Sequence, residues 1–181
     1  MNFQELIKTR QSTRRYSDIN VEKEKSQLCI EAARMAPSAS NSQPWTFIVV
    51  DNPELKEKVA VETYGSVVSF NKFVHQVPVI IVIVIEKTKL ITQVGAFIKD
   101  REFPLIDIGI AAEHLCLQAA ELGLGTCMLG WFNEKPIQKL LNIPKKKRIG
   151  LLITLGYPAT DDPLRNKIRK TTEEMSRLNG Y

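Results

Sequence analysis

Residues Val77–Ile85 read VPVIIVIVI, nine positions without a polar side chain. Successive side chains of a strand point to opposite faces of its sheet. A strand with one wet face would alternate apolar and polar residues, and this one does not. The run predicts a central strand covered by protein on both faces. Pro78, which has no N–H to give a neighbouring strand, should lie near its start. Nine residues are too few to cross a bilayer as a helix. The rest of the chain must cover both faces, and helical and strand patterns mix throughout it, so the class is α+β or α/β.

The other periodicities supply that cover. Asn2–Thr9 reads as a short helix with Phe3, Leu6 and Ile7 on one side. Glu22–Ala36 reads as a second helix, with Leu28, Ala32, Met35 and Ala36 as its apolar stripe and Pro37 as its stop. Trp45–Val50 is rich in strand formers. Asp51-Asn52-Pro53 then turns the chain, and Pro53 opens a helix reaching about Tyr64. Leu105, Ile108, Ala112, Leu115, Ala119 and Leu122 recur at helical steps and mark a long helix from Pro104 to about Gly123. Thr126–Trp131 and Ile149–Leu155 read as strands, Lys135–Leu141 as a short helix, and the chain from Arg165 onward as a polar, basic tail. Over its middle the long helix is charged only at Asp107, Glu113 and Glu121, less than a solvent-facing helix carries. It is expected at the centre of the domain or in a dimer interface, and the interface is the reading adopted.

The 181 residues, 44% hydrophobic and 25% charged, fit one globular domain, 1–181. A net charge of +5 suits nucleic acid and small phosphorylated ligands alike. The run Lys145-Lys146-Lys147-Arg148 has no interleaved aromatics for base stacking, so it reads as a solvated turn and no nucleic-acid partner is expected. Cys29, Cys116 and Cys127 are odd in number and widely spaced, and His75 and His114 complete no metal spacing with them. Reduced thiols in a cytoplasm are the simplest reading. The N-terminus, MNFQELIKTRQSTRRYSD, holds no apolar h-region, and no membrane association is expected.

Four segments carry groups suited to chemistry. Arg10, Ser12 and Arg14 alternate, so an extended chain would converge two guanidinium groups and a hydroxyl into a phosphate cradle. The competing reading is a solvated basic segment. The loop Pro37-Ser38-Ala39-Ser40-Asn41-Ser42-Gln43-Pro44-Trp45 offers hydrogen-bonding groups that suit a polyhydroxylated ligand such as a ribityl chain, or forms a polar turn fixed by its prolines. In Leu122–Trp131, Gly123 suits a helix C-cap, and Met128 stands where a third glycine would complete GxGxxG, so a Rossmann loop is not supported. Gly130 would let backbone approach a flat ligand, although an ordinary helix–turn–strand junction also fits. Lys167 and Arg169 alternate as the N-terminal arginines do, in a cradle or a frayed tail. Neither histidine has a suitable partner nearby in sequence; His114 reads as packed, and Cys127 as a buried, inert thiol.

In this order the segments resemble the nitroreductase family of flavoproteins. The family's Arg-Arg-Ser-x-Arg is similar to Arg10-Gln11-Ser12-Thr13-Arg14, and its Pro-Ser-x-x-Asn-x-Gln-Pro-Trp is complete from Pro37 to Trp45. Its Asp-x-Gly helix and Leu-Gly-Leu-Gly-Thr resemble Asp107-Ile108-Gly109 and Leu122–Thr126. Leu155-Gly156-Tyr157-Pro158 and the closing Lys167 and Arg169 match as well. The likeness covers essentially the whole chain. It implies a dimeric α+β, nitroreductase-like sandwich, with a central, mainly antiparallel sheet flanked by helices. FMN would be held non-covalently at the subunit interface. Arg10, Ser12, Arg14, Lys167 and Arg169 would surround its phosphate. Gln11, in place of the commoner second arginine, would contribute through its backbone. Ser38, Ser40 and Asn41 would come from the other subunit to the ribityl chain and ring, in a loop completed by Pro37 and Gln43. Asn71 would meet the pyrimidine edge of the ring. Leu129 and Gly130 would lie beside the isoalloxazine, with a backbone N–H near N5.

The resemblance also implies a ping-pong reaction. NADH or NADPH gives a hydride to flavin N5, leaves, and is replaced by a small electron acceptor such as a nitroaromatic, quinone or enone. The flavin carries that chemistry, so no triad, metal site or carboxylate pair is required. Glu86–Phe103 is short beside the region that often walls the flavin in relatives, so the acceptor does not carry over. The alternatives are a flavin-destroying, dehalogenating or azoline-oxidising branch of the family, or a non-catalytic flavin-binding protein.

Overall fold

The computed structural model describes residues 1–65, 69–88 and 101–181. Four strands, β1 (Trp45–Val50), β2 (Val79–Ile85), β3 (Gly125–Leu129) and β4 (Arg148–Gly156), form one sheet in the order β1-β2-β4-β3, every pair antiparallel. The helices among the described residues are α1 (Phe3–Thr9), α2 (Lys23–Arg34), α3 (Pro53–Val61), α4 (Phe103–Glu121), α5 (Glu134–Leu140) and α6 (Thr172–Met175).

The apolar run becomes an inner strand covered on both faces, and Pro78 immediately precedes it. Val79, Ile81 and Ile83 pack with Cys29 and Ala33 of α2 and Ile108 and Leu115 of α4. Ile80, Val82 and Val84 pack on the other side with Val59 and Ala60 of α3 and Ile137 of α5. A bulge at Gly150 shifts the β2–β4 register, so that Ile83 faces Leu151 while Val84 faces Ile149. Local signals start the helices as their residues dictate. Asn2 and Glu5 form a capping box on α1, and the Asn52 side chain caps α3 ahead of Pro53.

Three boundaries and one face depart from expectation. α2 buries Ser26, Cys29 and Ala33, whereas Leu28 and Met35 are 49% and 66% exposed. Small side chains let α2 lie close against α4, where Ala32 C=O comes within 3.3 Å of His114 Nδ1, and the larger residues turn away. α2 itself starts at Lys23 and ends at Arg34, inside the expected span. α3 stops at Val61, short of Tyr64, because the Thr63 hydroxyl takes the Ala60 carbonyl and the Glu62 carbonyl accepts from Asn133 N–H. β3 ends at Leu129 rather than Trp131: beyond Leu129 the chain leaves β4 and Asn71 Nδ2 donates to the Trp131 carbonyl. α4 has the length and mean hydropathy, 1.2, of a bilayer-crossing helix, but its buried residues Ile108, Ala111, Ala112, Leu115, Cys116 and Ala119 join the layer under the sheet. Its Leu105 and Ile106 remain about half exposed.

Ile81 and Leu152 are fully buried on opposite faces of the sheet. Each change to Ala is expected to cost about 2–5 kcal/mol in urea unfolding. A loss well below that from either one would show that its face is not a packed layer.

Candidate functional site

The segment after α1 is laid along the edge strand β3. Ser12 forms a parallel bridge with Thr126, and Thr13 N–H donates to Thr126 C=O at 2.8 Å. Tyr16 then bridges Pro158, Ser17 N–H donates to Tyr157 C=O, and Ala159 N–H donates to Arg15 C=O. Two glycines opposite one another, Gly125 on β3 and Gly156 on β4, allow this close approach. A Cβ at Gly125 would fall 2.4 Å from Thr13 Oγ1, and one at Gly156 would fall 2.9 Å from the Tyr16 ring. The Tyr16 hydroxyl is buried between Thr13 C=O at 3.0 Å and Thr154 Oγ1 at 2.7 Å, and burial pushes its pKa far up, so it stays neutral.

This docking brings both ends of the chain together. Lys167 Nζ donates to Arg10 C=O at 2.5 Å, and Arg165 Nη2 donates to Ser12 C=O at 2.6 Å. A groove of about 310 Å³ results, walled by Arg10, Gln11 and Ser12 on one side and by Arg165, Lys167 and Arg169 on the other. Burial, then the charges of Arg10, Arg169 and Arg165, hold the Lys167 ammonium below its ordinary pKa. Crowded cations of this kind suit a dianion such as a phosphate monoester. Arg10 also meets Glu113 of α4 at 3.5 Å. Arg14 does not line the groove; its guanidinium turns back to Ser12 C=O at 3.4 Å. The Gln11 side chain likewise turns to the tail, donating to Pro163 C=O and accepting from Arg165 N–H. Arg165 escaped the sequence reading, although it continues the alternation of Lys167 and Arg169 by one step.

The Ser38–Gln43 loop has an unusual backbone. Ser40, Asn41 and Gln43 adopt φ of 51°, 49° and 48°, the left-handed region that non-glycine residues rarely enter. Hydrogen bonds over-determine it: Gln43 N–H to Ser38 Oγ at 2.9 Å, Gln43 Nε2 to Asn41 Oδ1 at 2.9 Å, and Asn41 N–H to Ser38 C=O. Asp107 of α4 anchors the loop by accepting from Ala39 N–H at 3.2 and 3.1 Å. Burial raises the Asp107 pKa, and the Ala39 N–H opposes the rise. The sequence marks Asp107 as a charge on the long helix and as part of the Asp-x-Gly resemblance, without giving it a contact to this loop.

At the end of β3, Asn71 is 3% exposed and ties two carbonyls together, Thr63 at 3.0 Å and Trp131 at 3.2 Å. It thereby fixes the path of Leu129-Gly130-Trp131. Leu129 is buried, whereas Gly130 is exposed and has no heavy atom within 4 Å of where its Cβ would lie. His75 does have partners: Glu57 on Nδ1 and the Tyr64 hydroxyl on Nε2 at 2.7 Å, both reached through folding rather than sequence proximity. Cys127 is 4% exposed, and burial raises its pKa, in keeping with an inert thiol. Among the described residues no three His, Cys, Asp or Glu side chains gather as metal ligands.

The nitroreductase family model matches residues 7–157, which spans the docked N-terminal segment, the whole sheet and α4. The chain belongs to the nitroreductase family. Among relatives within the family, a Methanothermobacter thermautotrophicus protein provisionally named NADH dehydrogenase/NAD(P)H nitroreductase is 33% identical over 92% of this chain and 82% of its own. A nitroreductase family protein from Clostridium novyi NT superposes with a TM-score of 0.76 at 32% identity, covering 92% of this chain and 89% of that one. An FMN-dependent nitroreductase from Clostridium difficile R20291 gives 0.77 at 28% identity, covering 97% and 98%. The nitroreductase fold and its α+β sheet are thus shared along nearly the whole chain.

Asp107 generates a pH prediction. A carboxyl whose folded pKa lies above its unfolded value destabilises the fold once ionised; the penalty is absent below the unfolded pKa, grows as pH rises from there, and is complete above the folded pKa. Asp107→Asn keeps an acceptor for Ala39 N–H and carries no charge to ionise, so it is expected to exceed the wild type in thermal stability at pH 7. That advantage should vanish as pH falls through the carboxylate range. Asp107→Ala, which strips the acceptor, should cost about 1–3 kcal/mol. A pH-independent difference between the Asn variant and wild type would refute the assignment.

Proposed function

We propose that the protein is an FMN-dependent oxidoreductase that passes reducing equivalents from NADH or NADPH to a small electron acceptor. The observation that carries this reading is the groove that Arg10, Ser12, Lys167 and Arg169 line together, with the partly buried Lys167 ammonium donating to the Arg10 carbonyl. The residues present fit FMN: a phosphate dianion would relieve the mutual repulsion of these cations. FMN, when bound, supplies the hydride-accepting and hydride-donating chemistry.

The chain's own residues position it. Arg10, Lys167 and Arg169 hold the phosphate by charge, and Ser12 adds a hydroxyl. The backbone at Gln11 and the charge of Arg14, which reaches Cys127 and Ser12, complete the surroundings. The open backbone at Gly130 lies against the flavin ring, beside Leu129, and Asn71 fixes that strand end. Pro37, Ser38, Ser40, Asn41 and Gln43 act in a second copy, reaching the flavin of the first across a homodimer interface. Support for a dimer comes from the apolar side chains one copy leaves exposed on its helices: Leu28 and Met35 on α2, Leu105 and Ile106 on α4. The reading takes residues 1–181 as one domain in the cytoplasm, where three free cysteines would stay reduced.

The test is optical. The purified protein, or apoprotein given FMN, should show oxidised flavin absorption that NADH or NADPH bleaches and that a nitroaromatic or quinone restores. Flavin that binds but is not bleached by either nicotinamide would leave a flavin-binding protein; no flavin affinity at all would overturn the reading. Release of halide from halogenated aromatics during turnover would move it to the dehalogenating branch.

Gly130 gives a separate check. A Cβ there meets nothing within 4 Å in the chain itself, so Gly130→Val should fold and melt as the wild type does. Its side chain would collide with the ring instead, and FMN occupancy or the rate of flavin reduction should fall by about ten-fold or more, a barrier or binding change near 1.4 kcal/mol. Normal occupancy with normal reduction would mean that this backbone does not face the flavin.

A further inference from the structure

We propose that Arg165 is a phosphate-binding residue of the groove, held in place by Gln11 and Asp162, and that it supplies from the C-terminal strap the charge absent at position 11. The inference rests on the FMN reading above. Arg165 belongs to none of the motifs that carry the family resemblance.

Gln11 departs from the Arg-Arg-Ser-x-Arg pattern, and its side chain is not idle. One end donates to Pro163 C=O at 3.3 Å and the other accepts from Arg165 N–H at 3.1 Å. An amide can do both at once, whereas a guanidinium has donors only and could not accept from Arg165 N–H. Gln11 therefore clips the strap onto the N-terminal segment. The clip delivers the Arg165 side chain to the groove wall, where Nη2 donates to Ser12 C=O at 2.6 Å and Nη1 donates to Asp162 Oδ1 at 2.9 Å. The Arg165 side chain is 44% exposed while that of Asp162 is 5% exposed, and a guanidinium has five N–H donors, more than these two contacts use.

The Arg165–Asp162 pair is poorly arranged as a device for stability. Asp162 Oδ2 is buried without a hydrogen-bond partner, a cost that an optimised buried ion pair avoids. The pair is well arranged to aim a guanidinium. The positive charge of Arg165 also reaches Lys167, where it joins Arg10 and Arg169 in disfavouring the ammonium. Arg165 is thus electrostatically part of the cluster that a dianion would relieve.

FMN and riboflavin differ by the phosphate alone, so the pair separates phosphate recognition from general structural damage. The full-length apoprotein is titrated with each by flavin fluorescence. Arg165→Met should weaken FMN binding by about ten- to hundred-fold, the range of one lost charge-assisted hydrogen bond, and leave riboflavin within about two-fold. Arg165→Lys, which keeps the charge without the fork, should fall between wild type and Arg165→Met. Gln11→Leu, which opens the clip, should weaken FMN by about three- to ten-fold, again sparing riboflavin. Equal losses for FMN and riboflavin would make Arg165 merely structural, and an unchanged FMN affinity in Arg165→Met would place it outside the site; either result overturns the inference. If Arg165→Met does not fold, Arg165→Lys and Gln11→Leu decide by the same comparison. A wild-type protein that binds FMN no tighter than riboflavin would instead remove the phosphate reading of the groove, and this inference with it.

Discussion

Six consecutive side chains of β2, Val79 to Val84, are withdrawn from water on two opposite faces, and this double burial dictates where everything else can go. Both faces must be roofed, α2 and α4 on one and α3 and α5 on the other. With its faces closed, the sheet has only its edges and ends to offer a ligand. The β3 edge is where the N-terminal segment runs, and it is there that the basic groups of the two chain termini meet. A site of this kind does not interrupt the core: the Tyr16 hydroxyl and the Thr154 hydroxyl satisfy each other beneath it, and the cations stay above.

The groove and the Ser38–Gln43 loop spend folding free energy in different currencies. In the groove the expense is electrostatic, like charges held close with the Lys167 ammonium partly desolvated. In the loop it is conformational, three non-glycine residues held at positive φ by a local web of hydrogen bonds and by Asp107. Neither arrangement improves the fold by itself. On the proposed reading both would be pre-organised, so that a ligand need not order them.

Much of the fold was legible because its signals are local. The apolar run named a two-sided strand, Pro53 after Asp51-Asn52 named a helix start, and helical spacing named α4. The face of α2 was misread because hydrophobicity ranks Leu28 and Met35 above Ser26, Cys29 and Ala33, whereas close packing against α4 selects small side chains. The ends of α3 and β3 were misread because Thr63, Asn133 and Asn71 redirect backbone groups there through contacts that no window of the sequence contains. His75 looked partnerless for the same reason: Glu57 lies 18 residues away.

What the amino-acid sequence determined alone was the inventory: a strand that must be buried twice, helices to bury it, and short alternating runs of Arg, Ser and Lys. Which of those groups share one groove was decided by the tertiary structure. Arg14, within the motif, turns aside, while Arg165 reaches Ser12 across 153 residues. The physical reason is that side-chain alternation encodes only which way a residue points along its own strand. Its neighbours depend on where Gly125 and Gly156 let the N-terminal segment dock, and on which backbone groups were left for the strap to bind.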